Sequence, residues 1–156
     1  MNATTPQLTA TAHTFTQWLS STRRGARLAR LLAVERLTAW QVSPGVTERA
    51  EQVVAELAAN ATLHGRLQGR DFQLALMLDT ATETLRVAVT DARAERLPVL
   101  SPHCTTPQDS ESGRGLLLVA ALADRWGTEP YPPSGKTVWA EFGRLGPQHG
   151  SGVLSG

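Results

Sequence analysis

The sequence predicts an α/β domain, a two-layer sandwich in which helices cover one face of a mostly antiparallel sheet. Three observations carry that reading. Two long segments, Ser20 to Val42 and Thr47 to Gly65, place apolar residues at helical spacing. Two adjacent shorter runs alternate strictly, with Phe72, Leu74, Leu76 and Leu78 in the first and Leu85, Val87 and Val89 in the second. A further helix and two strands follow a long loop, and no internal repeat interrupts this order.

Residues 1–10 are Thr-rich and polar, and Thr11 to Leu19 reads as an edge strand, so residues 1–19 form an N-terminal segment. Ser21 is the expected N-cap of the first helix, whose apolar residues are Leu28, Leu31, Leu32, Leu37 and Trp40 with arginines between them. Ser43, Pro44 and Gly45 break it. Thr47 can cap the second helix, which buries Ala50, Val54, Leu57, Ala58 and Ala61 and stops at Gly65. The runs DFQLALMLDT and TLRVAVTD then form a hairpin or neighbouring antiparallel strands. From Ala92 to Ser112, three prolines and many small polar residues make a long loop, a length usually reserved for functional lids or inserts. The third helix, GRGLLLVAALADR, starts at Gly113 and is apolar nearly all round, which predicts burial. Strands follow near 125–129 and 137–142 across the turn YPPSGK, and residues 144–156 form a Gly/Ser-rich tail.

A chain of this size can bury a core without staples. Fifteen basic residues against 14 acidic ones leave a net charge of +1, so no global basic field favours nucleic acid or a membrane surface. Partners must be recognised locally. Cys104, the single cysteine, can form no internal bridge, and the N-terminus shows neither a basic nor an apolar leader pattern. The longest apolar run, Leu116 to Ala123, is too short to span a bilayer. The expectation is a soluble cytoplasmic protein.

The chemistry sits in four places. Glu56, Asn60 and His64 recur every four residues and share one helix stripe, a carboxylate one turn from a carboxamide. Such a pair can accept a proton and offer oxygen to a hard cation. Asp91 ends an apolar strand, where a carboxylate can accept a hydrogen bond from the amino group of a base. Gly113 and Gly115 flank Arg114 at a helix start, where free backbone N–H groups attract phosphate. Finally, GKTVWAEF puts Lys136 and Thr137 at the head of a strand, without the spacing of a Walker A loop. Each feature alone is an ordinary helix face, turn or hairpin.

Together and in this order they resemble the GHKL, or Bergerat-fold, ATP-binding proteins, and more narrowly the single-domain anti-sigma-factor serine/threonine kinases. The resemblance covers residues 20 to 143. It implies ATP and Mg²⁺ as cofactors, with Asn60 holding the metal, Glu56 as general base toward a partner's serine hydroxyl, and Asp91 on the adenine amino group. Gly113, Arg114, Gly115 and Leu116 would form the phosphate-side hinge of a lid over residues 92–112, and Thr137 would complete the adenine pocket. His64 and Gly65 end and position the helix. The sequence departs from the family's DxG at Asp91, Ala92 and Arg93, where the guanidinium would either stack on adenine or obstruct the pocket.

Two functions stay open at this point: a kinase acting on an anti-sigma-factor antagonist and coupled to a sigma factor, or a non-catalytic module of the same fold that sequesters a partner. An orphan histidine-kinase catalytic domain fits less well, because the chain has no room for a phosphoacceptor hairpin. The implied partners are proteins, with no direct nucleic-acid or membrane contact. The arginine-rich first helix and an exposed Trp40 region leave a homodimer or partner contact open.

Overall fold

The computed structural model describes residues 12–65, 71–92, 116–133 and 135–143. The elements follow in the order β1 (Ala12–Ser20), α1 (Arg23–Ala39), α2 (Pro44–Gly65), β2 (Asp71–Asp79), β3 (Thr84–Asp91), α3 (116–122), β4 (Arg125–Tyr131) and β5 (Gly135–Gly143). All neighbouring strands are antiparallel, in the spatial order β1-β2-β3-β5-β4. The predicted two-layer α/β sandwich is the observed one, and none of its described helices is long and apolar enough to cross a membrane.

Strand alternation builds the core. In register, Leu74 lies opposite Val89 and Val89 opposite Val138; the next rows are Leu76, Val87 and Ala140, then Leu78, Leu85 and Phe142. Onto this face α2 lays Val46, Ala50, Val53, Val54, Leu57, Ala58 and Ala61, all buried. Side chains two apart on a strand and three or four apart on a helix can therefore meet along one surface. The turn between β2 and β3 is fixed by Asp79, whose Oδ1 accepts from the backbone N–H of Ala81 at 2.9 Å and of Thr82 at 3.2 Å.

Three sequence expectations shift. The N-cap of α1 is Thr22 rather than Ser21: its hydroxyl accepts from the Gly25 N–H at 2.9 Å. Helix α2 opens at Pro44, three residues before Thr47, because proline suits the first helical position, where its missing N–H has no partner to lose; the Thr47 N–H already bonds the Ser43 carbonyl at 2.9 Å. Most consequentially, only part of the predicted apolar series of α1 faces the core: Leu37 is buried and Leu32 and Trp40 pack on it, but Leu28 and Leu31 do not. Gly25, Ala29, Ala33 and Leu37 face inward, while Leu28 and Leu31 are exposed. The cause is close approach, since a Cβ on Gly25 would fall 1.8 Å from the Ser20 carbonyl oxygen, so only small residues fit against the end of β1.

Trp40 is half-buried rather than exposed, stacked on His13 with ring centroids 5.3 Å apart and packed on the core. Helix α3 is not buried all round: Val119 is buried, but Leu117 stands in solvent.

The second face of the sheet carries charge. Arg86 bonds Glu141 at 3.0 Å and lies 4.3 Å from the centroid of the Trp139 ring, and Arg125 reaches the other oxygen of Glu141 at 2.7 Å. These groups belong to β3, β5 and β4, so they tie three strands across the side that no described helix covers.

Leu76→Ala should lower unfolding free energy by about 2–5 kcal/mol, the cost of a buried cavity. Leu31→Ala should change it by less than about 0.5 kcal/mol. Urea denaturation of the two variants measures the contrast.

Candidate functional site

Where β3 ends and β5 begins, the C-terminal half of α2 and the start of α3 enclose a cleft of about 500 Å³, including its open mouth. Its apolar walls are Leu57 and Ala61 of α2, Val89 of β3, Val138 of β5 and Leu116 of α3. Four polar side chains reach it: Asn60, Asp91, Thr128 and Lys136.

Each is placed by the periodicity of its own element. Leu57 and Ala61 are buried against the sheet, which forces Asn60, between them on the helix surface, to the margin of the contact, where it is half-buried. On β3 the residues Leu85, Val87, Val89 and Asp91 share a face, so Asp91 is the first polar side chain beyond an apolar floor. Register then sets Lys136 opposite Asp91, and Thr128 opposite Val138. A carboxylate and an ammonium thus flank one end of an apolar slot.

Gly135 makes that end possible. A Cβ there would lie 2.4 Å from the Asp91 carbonyl oxygen and 2.6 Å from the Cα of Ala92, so no other residue lets β5 begin against the end of β3. Two residues further along β5, the hydroxyls of Thr137 and buried Thr90 are hydrogen-bonded at 2.7 Å, on the face of the sheet away from the cleft.

Of the residues singled out in the sequence, the structure therefore brings Asn60, Asp91 and Leu116 to one cleft. Glu56 is half-buried one turn before Asn60 and does not line it, and Thr137 lies behind it. His64 and Gly65 form the end of α2. Arg93, Gly113, Arg114, Gly115 and Cys104 lie outside the described residues, as does the expected lid apart from Ala92. Sequence reasoning passed over Lys136 and Thr128 as site residues, although strand register alone carries both to the cleft once Asp91 is placed there.

It also missed Arg49. From α2 its Nη1 donates to the Leu122 carbonyl at 2.8 Å, a cation at the C-terminal end of α3, and its guanidinium carbon lies 5.6 Å from the Phe142 ring centroid. Asp124, just beyond α3, gives its N–H to the Glu141 carbonyl at 2.9 Å and accepts from the Gly143 N–H on Oδ2 at 2.6 Å. The C-terminal end of α3 is fastened in this way, and Leu116, the first described residue of the helix, forms a wall of the cleft.

A flat heterocycle with an exocyclic amine suits this donor set, with apolar walls against its faces and an acceptor in Asp91. Among the described residues no group of three or more His, Cys, Asp or Glu side chains converges on a metal site. A cation held here by the Asn60 amide oxygen would draw its remaining oxygens from phosphate and water, the usual habit of Mg²⁺.

The profile of the histidine kinase-like ATPase domain matches residues 2–142. The chain belongs to that family. No curated protein matches it. Among solved structures this histidine kinase-like ATPase domain is similar to the RsbU and RsbW domains of Rv1364c from Mycobacterium tuberculosis, with a TM-score of 0.63 at 18% identity over 84% of the chain. It spans 32% of that longer protein. It is also similar to a protein of the SiaB–SiaC complex of Pseudomonas aeruginosa, with a TM-score of 0.58 at 13% identity, over 82% of this chain and 88% of that one. At these identities the likeness is one of fold.

Arg49→Met should cost about 1–3 kcal/mol by leaving the Leu122 carbonyl without its partner. Hydrogen exchange should accelerate in residues 116–122 more than in β2, which reads the loosening of α3 directly.

Proposed function

We propose that this histidine kinase-like ATPase domain binds ATP with Mg²⁺ and acts as a serine/threonine kinase on a protein antagonist in an anti-sigma-factor partner-switching system. The observation that carries the reading is the convergence of Asn60 and Asp91, from a helix and a strand distant in sequence, on opposite sides of one apolar-walled cleft. The family match supports nucleotide as the ligand, and the likeness to an RsbW domain and to a protein of the SiaB–SiaC complex supports a protein as the target.

In this reading Asp91 accepts a hydrogen bond from the adenine amino group, and Val89, Val138 and Leu57 pack against the ring. Lys136, opposite Asp91, adds a positive charge at the same end. Thr137 acts from behind, tying β5 to β3 through Thr90 so that Asp91 keeps its place. Asn60 gives its amide oxygen to Mg²⁺, while Gly113, Arg114, Gly115 and Leu116 serve the phosphate side. A Mg²⁺ held there would supply charge neutralisation as the γ-phosphoryl group of ATP passes to the hydroxyl oxygen and ADP leaves. Glu56 accepts the proton of the attacking serine hydroxyl. Holding Glu56 and Asn60 one helical turn apart keeps base and cation in fixed relation.

A second reading is a non-catalytic module that binds a partner without phosphorylating it. The position of Glu56 outside the cleft lining favours it.

Calorimetric titration should show Mg²⁺-dependent ATP binding, with Asp91→Ala about 10- to 100-fold weaker from the lost charged hydrogen bond. Unchanged affinity in that variant would remove Asp91 from the adenine pocket. Glu56→Gln should keep nucleotide affinity and lose phosphate transfer to a cognate antagonist. Normal ATP binding by the native domain with no transfer to any antagonist would decide for the module.

A further inference from the structure

A second opening lies at the end of the sheet away from Asp91. The last inward row of the strands, Leu78, Leu85 and Phe142, forms its floor together with Val46 of α2, and Trp40 forms a side wall. Leu85 and Asp91 stand at opposite ends of β3, about 20 Å apart along an extended chain, so this cavity is separate from the cleft at Asp91. It measures about 650 Å³ including its mouth, within the range of small-molecule sites. Val46, Leu85 and Phe142 are buried core residues, so the opening reaches the hydrophobic interior.

The rim is built at a cost to the fold. Among the described residues, the non-glycine residues with left-handed backbone are Gln41, at φ 62°, and Glu83, at φ 57°, and both line this cavity. Gln41 closes α1: its N–H donates to the Thr38 carbonyl at 2.9 Å and the Val42 N–H to the Leu37 carbonyl at 3.0 Å, the bond pair of a helix end whose left-handed residue is usually glycine. Glu83 ends the turn from β2 to β3, where glycine would again take that backbone without a Cβ penalty. Two segments remote in sequence thus each keep a side chain where glycine would be less strained, and both side chains stand on one opening. Backbone strain of this kind gathers at ligand clamps. Trp40 is braced by its stack on His13.

We propose that this cavity binds a small neutral aromatic molecule bearing a hydroxyl or amide group, its ring between Trp40 and the apolar floor and its polar group among Gln41, Ser43 and Thr80. Those three side chains can each donate and accept a hydrogen bond, which suits an uncharged polar group. Among the described residues the one charged side chain lining the cavity is Glu83, so an anion would enter against a carboxylate. Arg49 offers it no compensation, since it is committed to the Leu122 carbonyl and does not line the cavity. A cation would be drawn to Glu83 but would meet the positive end of α2, which starts at the same rim.

The test titrates the full chain with tryptophol, and with indole-3-acetate and tryptamine as the anion and the cation built on the same ring. The Trp40 indole N–H resonance, identified by its loss in Trp40→Phe, should shift on adding tryptophol, and saturating ATP with Mg²⁺ should not displace the ligand. Each charged analogue should bind about tenfold more weakly or worse by calorimetry. Thr80→Trp, which grows a ring into the mouth from an exposed position, should weaken tryptophol binding by about tenfold or more with the Tm unchanged. Gln41→Gly should raise the Tm while weakening tryptophol by about threefold or more, because it relieves the left-handed side chain and removes a hydrogen-bonding partner. That opposition separates lost binding from lost folding. No shift at Trp40, displacement by ATP, equal or tighter binding of either charged analogue, or unchanged tryptophol affinity in Thr80→Trp or Gln41→Gly would each overturn the proposal.

Discussion

The contact between α2 and the central strands is the constraint on which the rest depends. A helix whose inward stripe runs from Val46 to Ala61 can lie on the rows built by β2, β3 and β5 only with that stripe down. Once it does, Glu56 and Asn60 must stand along one margin, half-buried, with no freedom to turn toward solvent. The polar chemistry of the helix is thus located by its apolar chemistry. Extending the same contact brings Leu57 and Ala61 over Val89 and Val138, and the cleft is the gap left where the apolar rows run out.

A second constraint closes that gap into a site. The chain can enter β5 beside Asp91 only because residue 135 lacks a side chain, and the hydroxyl pair of Thr90 and Thr137 then locks the register. Arg49 extends the control to α3 from the same helix that carries Asn60. One helix accordingly positions both a polar rim residue and, through a single guanidinium, the far wall.

The architecture was legible because strict alternation in β2 and β3 and the inward stripe of Ala50, Val54, Leu57, Ala58 and Ala61 in α2 are dictated by burial, which a single chain displays. Asn60 and Asp91 were legible for the same reason, each being the polar residue that interrupts an apolar pattern. Lys136 and Thr128 were hidden, since only cross-strand register brings them to the cleft and register is set by partners distant in sequence. In α1 periodicity misled in part: Leu37 and Leu32 meet the core, but the close approach to Ser20 at Gly25 turns the side of Gly25, Ala29 and Ala33 inward and leaves Leu28 and Leu31 outside. Thr137 illustrates a different loss. A motif fixes the order of residues along a strand, and the face each one takes follows from alternation and pairing.

The charged lattice of Arg86, Glu141 and Arg125 lies on the reverse of the very strands whose other side forms the cleft. Alternation gives odd and even positions of β3 and β5 to different environments, one packed under α2, the other an ion-paired surface that is buried at Thr90. Away from the Thr90–Thr137 pair, substitutions can therefore accumulate on the outer side without passing through the pocket. Among related domains the two surfaces are free to diverge at different rates, so that specificity for neighbours can drift while the inner wall of the sheet stays fixed.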